Sequence, residues 1–342
     1  MKLVLDAMGG DDAPNVIVQG AIAAQRDFAD CELILVGREE EIQAAFEKNG
    51  CSAPPERIVI RNASEVIEMC DDPANAFRRK KDSSMTVGLN MLKTGEGDAF
   101  ISAGSTGALL SAATLLVRRS KGVRRAAVAP VVPTLKGGAV LIDAGTNAEC
   151  TSEYLVQFAF MGSFYAQYVL GRKNPSVGLL NIGSEPGKGD TLRQETYEIL
   201  SQLGQEGKLN FAGNIESREA VYGAVDVLVA DGFSGNVFLK TMEGVSMAFS
   251  DMLNEMYRKN IGTKIAYLLT KDGIRDIKKM MDYREVGGSC ILGIRKPVIK
   301  AHGSSDQLAI YCAIRQARSA VSAGVCDIIA DHIKDMGPKS AG

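Results

Sequence analysis

One pattern repeats along this chain: a short apolar run, a turn of glycine and polar residues, and a helix-spaced apolar series. In its clearest copy, Val227–Val229 precede the turn 230–236, and a helical pattern begins at Val237. The other strand-like runs are Lys2–Leu5, Glu32–Val36, Arg57–Ile60, Asp98–Ser102, Ala139–Ile142, Val177–Leu180 and Val298–Lys300. Such alternation is typical of a largely parallel sheet covered by helices on both faces. The pattern therefore predicts a three-layer α/β/α, Rossmann-like fold.

Composition excludes several classes of protein. The chain has 342 residues, of which 46% are hydrophobic and 23% charged, as in an ordinary globular protein. Its net charge of -2 argues against a general nucleic-acid binder, and its two histidines exclude a multi-histidine metal site. We predict neither a metal nor a cofactor. Seven scattered cysteines, no signal-peptide layout and no apolar run of membrane-spanning length predict a cytoplasmic protein with reduced thiols.

The segment 242–281 interrupts the alternation because it is too long for one crossover helix. Apolar residues recur at helical spacing on both sides of Asn260–Thr263, which predicts a hairpin of two long helices. We predict a single catalytic domain over 1–333 that includes this helical arm, followed by a tail over 334–342. A hairpin of this length would outreach the sheet, so we interpret it as a homodimer interface and a peripheral membrane contact; burial in the core is the alternative. The predicted membrane tip consists of Ile261, Ile265, Leu268 and Leu269.

The turns after the predicted strands suit an anion. A glycine-rich turn that opens a helix presents free backbone N–H groups at the positive end of the helix dipole, where phosphate binds well. In parallel sheets, ligands collect outside the carboxyl ends of the strands. The predicted phosphate- and substrate-binding residues are Gly9, Gly10, Asp11, Ser105, Thr106, Gly107, Asn147, Asn181, Asp231, Gly232, Phe233, Ser234, Gly235, Ser304 and Ser305. Because these turns contain neither a GxSxG elbow nor a cysteine, we expect a bound substrate to supply the nucleophile.

Three further side chains in these turns are predicted to act in catalysis. Lys188 is the only lysine inside a strand-end glycine turn, and we expect it to position phosphate or to stabilise an oxyanion; a solvated loop lysine is the alternative. His302 follows a predicted strand and is expected to act as an acid–base group or hydrogen-bond donor; bracing the turn is the alternative. Asn236 belongs to the same ring of polar groups, which would bind an oxyanion without attacking anything.

Jointly, these turns resemble those of one family. The segments MGGDDAP (8–14), SAGSTGA (102–108), IDAGTN (142–147), GLLNIGSE with the KG at 188–189, ADGFSGNVFLK (230–240) and AHGSSD (301–306) are similar, in order, to motifs of the bacterial phosphate acyltransferases, the PlsX family. The resemblance spans nearly the whole chain. It implies an enzyme that makes acyl phosphate from acyl carrier protein thioester and inorganic phosphate, opening glycerophospholipid synthesis. It also implies a downstream membrane acyltransferase as a partner.

Two basic runs fit this reading. Arg78, Arg79 and Lys81 in the first run, and Arg124 and Arg125 in the second, are predicted to dock the acidic carrier protein; a solvated face is the alternative. Two other functions remain open at this point. A phosphotransacetylase that uses acyl-coenzyme A would share the site chemistry and differ only in the acyl carrier. In a peripheral membrane scaffold, the helical arm would carry the function and the turns would be structural.

Overall fold

The computed structural model describes residues 1–281 and 287–333, with the backbone alone at 278–281; the predicted tail over 334–342 lies outside this part of the chain. The strands are β1 (Lys2–Asp6), β2 (Glu32–Gly37), β3 (Ile58–Asn62), β4 (Ala99–Ser102), β5 (Ala127–Thr134), β6 (Gly137–Ile142), β7 (Val177–Leu180), β8 (Phe211–Ile215), β9 (Val227–Val229), β10 (Ser289–Leu292) and β11 (Val298–Lys300).

The helices are α1 (Asn15–Asp27), α2 (Glu39–Lys48), α3 (Ala76–Arg79), α4 (Ser84–Thr94), α5 (Thr106–Ala112), α6 (Ser152–Phe164), α7 (Thr191–Gln205), α8 (Ser217–Val221), α9 (Gly232–Arg258), α10 (Ile261–Met281), α11 (Gln307–Ala323) and α12 (Val325–His332). Helices α5 and α6 continue as π-helical turns over Ala113–Arg118 and Tyr165–Val169. Every predicted strand-like run overlaps a strand, with Arg57 and Asp98 each one residue before the observed start, which confirms the alternation.

The described strands form one sheet in the order β3-β2-β1-β4-β11-β10-β5-β6-β9-β7-β8. The strands from β3 to β11 form one parallel block, and those from β6 to β8 form a second. Between the blocks, β10 runs antiparallel to β11 and β5, and β5 runs antiparallel to β6. These three reversals make the blocks run in opposite directions. The predicted, largely parallel sheet is confirmed, but its reversal was not predicted.

Helices pack on both faces of the sheet because successive strand residues point to opposite sides. Leu3 and Leu5 belong to the core between the sheet and helices such as α1, α6 and α11. Val4 lies on the other face, in the core shared with helices such as α4 and α5. The two cores on the two faces confirm the predicted three layers.

The helical arm consists of α9 and α10, and the break between them falls at Lys259–Asn260, close to the predicted turn. The four predicted tip residues are all exposed, and Leu269 is 83% exposed. Within the described residues, no helix is both long enough and apolar enough to cross a membrane.

Candidate active site

A cavity of about 290 Å³ lies where turns from the two blocks meet. The first block contributes Thr106 after β4 and His302 after β11. The second block contributes Gly145 after β6 and Asn236 after β9. The reversal in the sheet therefore brings the ends of oppositely directed strands to one site. Of the predicted residues, Thr106, Asn236, His302 and Ser305 line this cavity.

Lys300, the last residue of β11, also lines the cavity and is largely buried. Its Nζ donates to the carbonyl oxygen of Ala103 at 3.3 Å and to that of Ala301. The pKa of Lys300 is lowered to about 8, mainly by burial; the charge of Asp6 opposes this shift, and the charge of Lys240 adds to it. Lys300 is therefore a largely buried cation that is mostly protonated at pH 7 and loses its proton only slightly above that pH. Sequence reasoning missed it because it ends a strand instead of lying in a turn.

Lys240 and Glu243 lie on the face of α9 that begins with Asn236, and both line the cavity. Residues four and three apart share one face of a helix, so Asn236, Lys240 and Glu243 form a polar row along one wall. Lys240 Nζ is 2.7 Å from Glu243 Oε2. The sequence signal for this pair was the spacing from Asn236, which sequence analysis did not use.

His302 is held by the residue two positions further on. Its Nδ1 accepts a hydrogen bond from the Ser304 backbone N–H at 3.3 Å and lies 2.8 Å from the Ser304 hydroxyl oxygen. Burial, followed by the charge of Lys240, lowers the pKa of His302 below its usual value. The imidazole is therefore mainly neutral at pH 7, and acceptance by Nδ1 leaves Nε2–H as the ring donor. Ser304 thus orients His302 instead of lining the cavity itself.

Ser305 supplies a buried hydroxyl to the cavity. The residue is 5% exposed and stands two positions before α11. Among the described residues, its Oγ has no hydrogen-bond partner. Buried polar atoms are nearly always paired, so this hydroxyl is suited to a ligand oxygen.

The turn 9–11 lies behind the cavity. The Asp11 backbone N–H donates to the Gly303 carbonyl oxygen at 2.9 Å, and Gly10 packs against the same carbonyl. A Cβ at Gly9 would lie 2.6 Å from Oδ2 of Asp6. Burial raises the pKa of Asp6, although its carboxylate accepts hydrogen bonds from two serine hydroxyls. The predicted residues Gly9, Gly10 and Asp11 therefore support the 301–305 turn from behind.

The turn 143–147 is organised by the fully buried carboxylate of Asp143, which accepts from the Asn147 backbone N–H at 2.6 Å and from its side chain at 2.9 Å. The start of α9 packs closely on this turn. A Cβ at Gly232 would lie 2.7 Å from the Asn147 backbone, and one at Gly235 would lie 2.0 Å from the Asp143 carbonyl oxygen. These two glycines allow close packing, and through it they place Asn236 beside Gly145.

Two other predicted residues are fixed by Arg193, which sequence reasoning missed. Asp231 caps α9 by accepting from the Ser234 N–H at 2.9 Å, and it forms an ion pair with Arg193. Arg193 also donates to the Ser234 hydroxyl at 3.0 Å and binds Asp190 at 2.7 Å. It thereby ties the start of α7 to that of α9. Phe233 is exposed.

Lys188 is not brought to the cavity. Its Nζ is 4.0 Å from Oε1 of Glu185, within its own half-exposed loop. Asn181 shapes this loop, because its side-chain amide donates to the Lys188 carbonyl oxygen at 3.0 Å. The catalytic role of Lys188 stays a prediction. In the turn before α5, the Ser105 hydroxyl caps the helix at Ala108, and Gly107 packs against Pro73.

The predicted docking residues have three different surroundings. Arg78 and Arg125 line a groove of about 440 Å³ beside the cavity. Arg79 and Lys81 are exposed on the neighbouring surface, and Arg124 forms a 2.8 Å ion pair with Glu153. Among the described side chains, no group of three or more His, Cys, Asp or Glu is placed to hold a metal ion.

Comparison with solved structures defines the class of fold. The chain is similar to a phosphotransacetylase from Streptococcus pyogenes, with a TM-score of 0.62 and 18% identity over 94% of each chain. It is also similar to 4-hydroxythreonine-4-phosphate dehydrogenase from Klebsiella pneumoniae, with a TM-score of 0.54 and 12% identity over 94% of this chain and 99% of the other. The protein therefore has the phosphotransacetylase type of α/β fold. Because this fold serves more than one reaction, it does not itself assign the chemistry.

Sequence comparison gives the family. Residues 1–328 match the family described as "Fatty acid synthesis protein". The phosphate acyltransferase of Thermoanaerobacter pseudethanolicus is 47% identical over 337 residues, which cover 98% of each chain. The chain belongs to this family and is an enzyme of the phosphate acyltransferase kind, which confirms the resemblance of its turns.

Proposed function

We propose that this enzyme makes acyl phosphate from an acyl carrier protein thioester and inorganic phosphate. The observation that carries the proposal is the composition of the cavity. Two lysines, a mainly neutral histidine and a serine hydroxyl that has no partner among the described residues surround a space at the strand ends. Such a set suits a small multivalent anion. Its relatives are named phosphate acyltransferases, and phosphate is the anion that such an enzyme must bind.

In the proposed reaction, Lys300 and Ser305 hold phosphate while one of its oxygens attacks the thioester carbonyl carbon. A C–O bond forms, and the C–S bond then breaks as the thiol sulfur takes the electron pair. Phosphate is partly dianionic at neutral pH, so it needs little help from a base. A thiol with a pKa of about 8.5 leaves without much help from an acid. The protein's task is therefore orientation and oxyanion stabilisation, and the Nε2–H of His302 and the Asn236 amide are the proposed oxyanion donors.

The acyl donor is proposed to dock through the basic surface beside the cavity. Arg78, Arg79, Lys81 and Arg125 are exposed there and would attract an acidic carrier protein. Arg124 is committed to Glu153, so we propose a smaller part for it. We therefore propose a protein carrier as the acyl donor, with free acyl-coenzyme A as the alternative.

The helical arm is proposed to form a homodimer and to offer its tip to a membrane. The exposed residues Ile261, Ile265, Leu268 and Leu269, together with nearby lysines, support a peripheral contact. This location would deliver acyl phosphate close to a membrane acyltransferase that consumes it.

A trapping assay tests the proposed function. The protein is mixed with acyl carrier protein thioester and phosphate, and acyl phosphate is captured with hydroxylamine. We expect hydroxamate that requires both phosphate and enzyme, and much less with the Lys300→Met variant. A higher kcat/KM for acyl-coenzyme A would assign the protein to the phosphotransacetylase type. No hydroxamate from either thioester would overturn the proposal.

A further inference from the structure

A groove beside the active-site cavity carries three arginines from three segments of the chain. Arg78 comes from α3, Arg119 directly follows the π-helical turn after α5, and Arg125 comes from the loop before β5. The groove has a volume of about 440 Å³ and is open to solvent. The tertiary fold therefore brings three arginines that are distant in sequence to one groove.

These arginines keep their charge available. Among the side chains that the structure describes, none of the three lies within 4.0 Å of a carboxylate, whereas neighbouring Arg124 is paired with Glu153. Two of them are instead held against aromatic rings: Arg78 lies 5.5 Å from the centroid of Phe77, and Arg125 lies 5.5 Å from that of Tyr154. An aromatic face orients a guanidinium group without neutralising it. The groove is therefore a preformed cluster of positive charge.

The groove and the cavity share two structural elements. On the turn after β6, Gly145 lines the cavity, and the next residues, Thr146 and Asn147, line the groove. On α5, Thr106 lines the cavity and Leu110 lines the groove. Four residues of helix rise by ~6 Å, so the two sites occupy consecutive turns of one helix. A single extended ligand can therefore lie in both.

We propose that this arginine groove binds the phosphate of the phosphopantetheine arm that carries the acyl thioester. The inference rests on the proposed function, and it adds a second anion site that is distinct from the site of the attacking phosphate. A guanidinium group binds phosphate oxygens through two parallel N–H donors, which suits a phosphodiester. Leu110, Leu115, Ser111 and Thr114 also line the groove. In the proposed complex, the two leucines would pack on the dimethyl carbon next to that phosphate, and the two hydroxyls would bind amides of the arm.

The phosphate of the donor provides the test. The kcat/KM for an acyl phosphopantetheine is compared with that for the same acyl pantetheine, which lacks the phosphate. We expect wild type to favour the phosphorylated thioester at least about tenfold, as for charged hydrogen bonds. In the Arg119→Gln, Arg125→Gln variant, the two thioesters should react at nearly equal rates. A thermal unfolding midpoint and a circular dichroism spectrum equal to those of wild type would show that this variant retains its fold.

Arg26→Gln is the matched control because Arg26 is an exposed arginine at the far end of α1. It should keep the full preference for the phosphorylated thioester. A wild type without that preference, or a groove variant that retains it, would overturn the assignment while leaving acyl phosphate formation intact. Calorimetry with phosphopantetheine and pantetheine gives the same comparison without turnover, so failure of the proposed reaction remains distinguishable. The kcat/KM of wild type and of the groove variant is then compared with acyl carrier protein thioester and with acyl-coenzyme A. The donor whose kcat/KM falls more in the variant is the one that uses the groove.

Discussion

At the scale of single residues, Lys300 links the site to the stability of the protein. Burial lowers its pKa to about 8 in the folded state, whereas an unfolded lysine titrates near ~10.4. Between these values the unfolded chain binds more protons, so the free energy of unfolding rises with pH across this window. Below it, the buried charge costs on the order of 3 kcal/mol. A phosphate ion bound beside Lys300 would offset part of this cost.

Replacing Lys300 tests its part in phosphate binding. We expect Lys300→Met to raise the KM for phosphate at pH 7 at least about tenfold, because a charged hydrogen bond is lost. In wild type, this KM should rise above about pH 8 as Lys300 loses its proton, while phosphate keeps its charge. Lys300→Arg should show no such rise, because arginine stays protonated. Steady-state kinetics from pH 6.5 to 9.5, a range set around the Lys300 pKa, give both results; a flat wild-type profile would contradict the assignment.

The sequence predicted part of the site because of where its residues stand. Asn236, His302 and Ser305 lie in or just after the segments that join a strand to its helix, so the pattern of strand and turn was enough to place them together. Lys300 is the last residue of a strand, where a single lysine gives no periodic signal. Arg193 contacts Asp231 through tertiary packing of α7 on α9, which no local pattern records. The same pattern included Lys188, whose loop the structure places away from the cavity.

At the scale of elements, the first turn of α9 contains two glycines, Gly232 and Gly235, at positions where any side chain would collide with the turn 143–147. Gly235→Ala should strongly destabilise the protein or displace α9, since its Cβ would lie 2.0 Å from the Asp143 carbonyl oxygen. Gly244→Ala on the same helix is the control, because a Cβ there meets nothing within 4 Å. We expect it to stabilise the protein by about 0.5–1 kcal/mol, the difference in helix propensity. Thermal unfolding and activity of both variants give the comparison; equal melting temperatures would refute it.

The arm makes a second prediction at this scale. Wild type should co-sediment with anionic vesicles, and an Ile265→Glu, Leu268→Glu variant should remain folded and dimeric but stay in the supernatant. Full burial would contribute roughly 1.5–3 kcal/mol for each apolar side chain, and shallow insertion contributes less, so attachment should be reversible. A wild type that never pellets would refute the membrane contact. A variant that falls to monomers would place these residues in the dimer interface instead.

Three strands escaped sequence analysis for identifiable reasons. Strand β5 contains Pro130 and Pro133, and proline argues against an interior strand. Strands β8 and β10 lie outside the clear strand–turn–helix units. Because β5 and β10 join the two blocks, missing them concealed the reversal of the sheet.

At the scale of the whole molecule, the small net charge of -2 conceals a local basic surface. Reversing Arg78, Arg79 and Lys81 to Glu should raise the KM for the carrier substrate, and wild-type KM should itself rise with salt. The KM for acyl pantetheine, which has no carrier protein, should respond to neither change. The measurement is steady-state kinetics of wild type and variant at several ionic strengths. If the KM for the carrier substrate changes with neither salt nor charge reversal, this surface is a solvated face and not a docking site.

The order of the strands also has a consequence for folding. Of the strands that the structure describes, β10 and β11 are the last in sequence, yet they occupy the middle of the sheet, between β4 and β5. While the chain emerges from the ribosome, β4 and β5 therefore each have one unpaired edge until β10 and β11 are synthesised. Unpaired strand edges are the surfaces most prone to aggregation. Lys300 and His302 also reach the cavity only when β11 takes its place in the sheet. Catalytic competence thus arrives only when the final strands close the centre of the sheet.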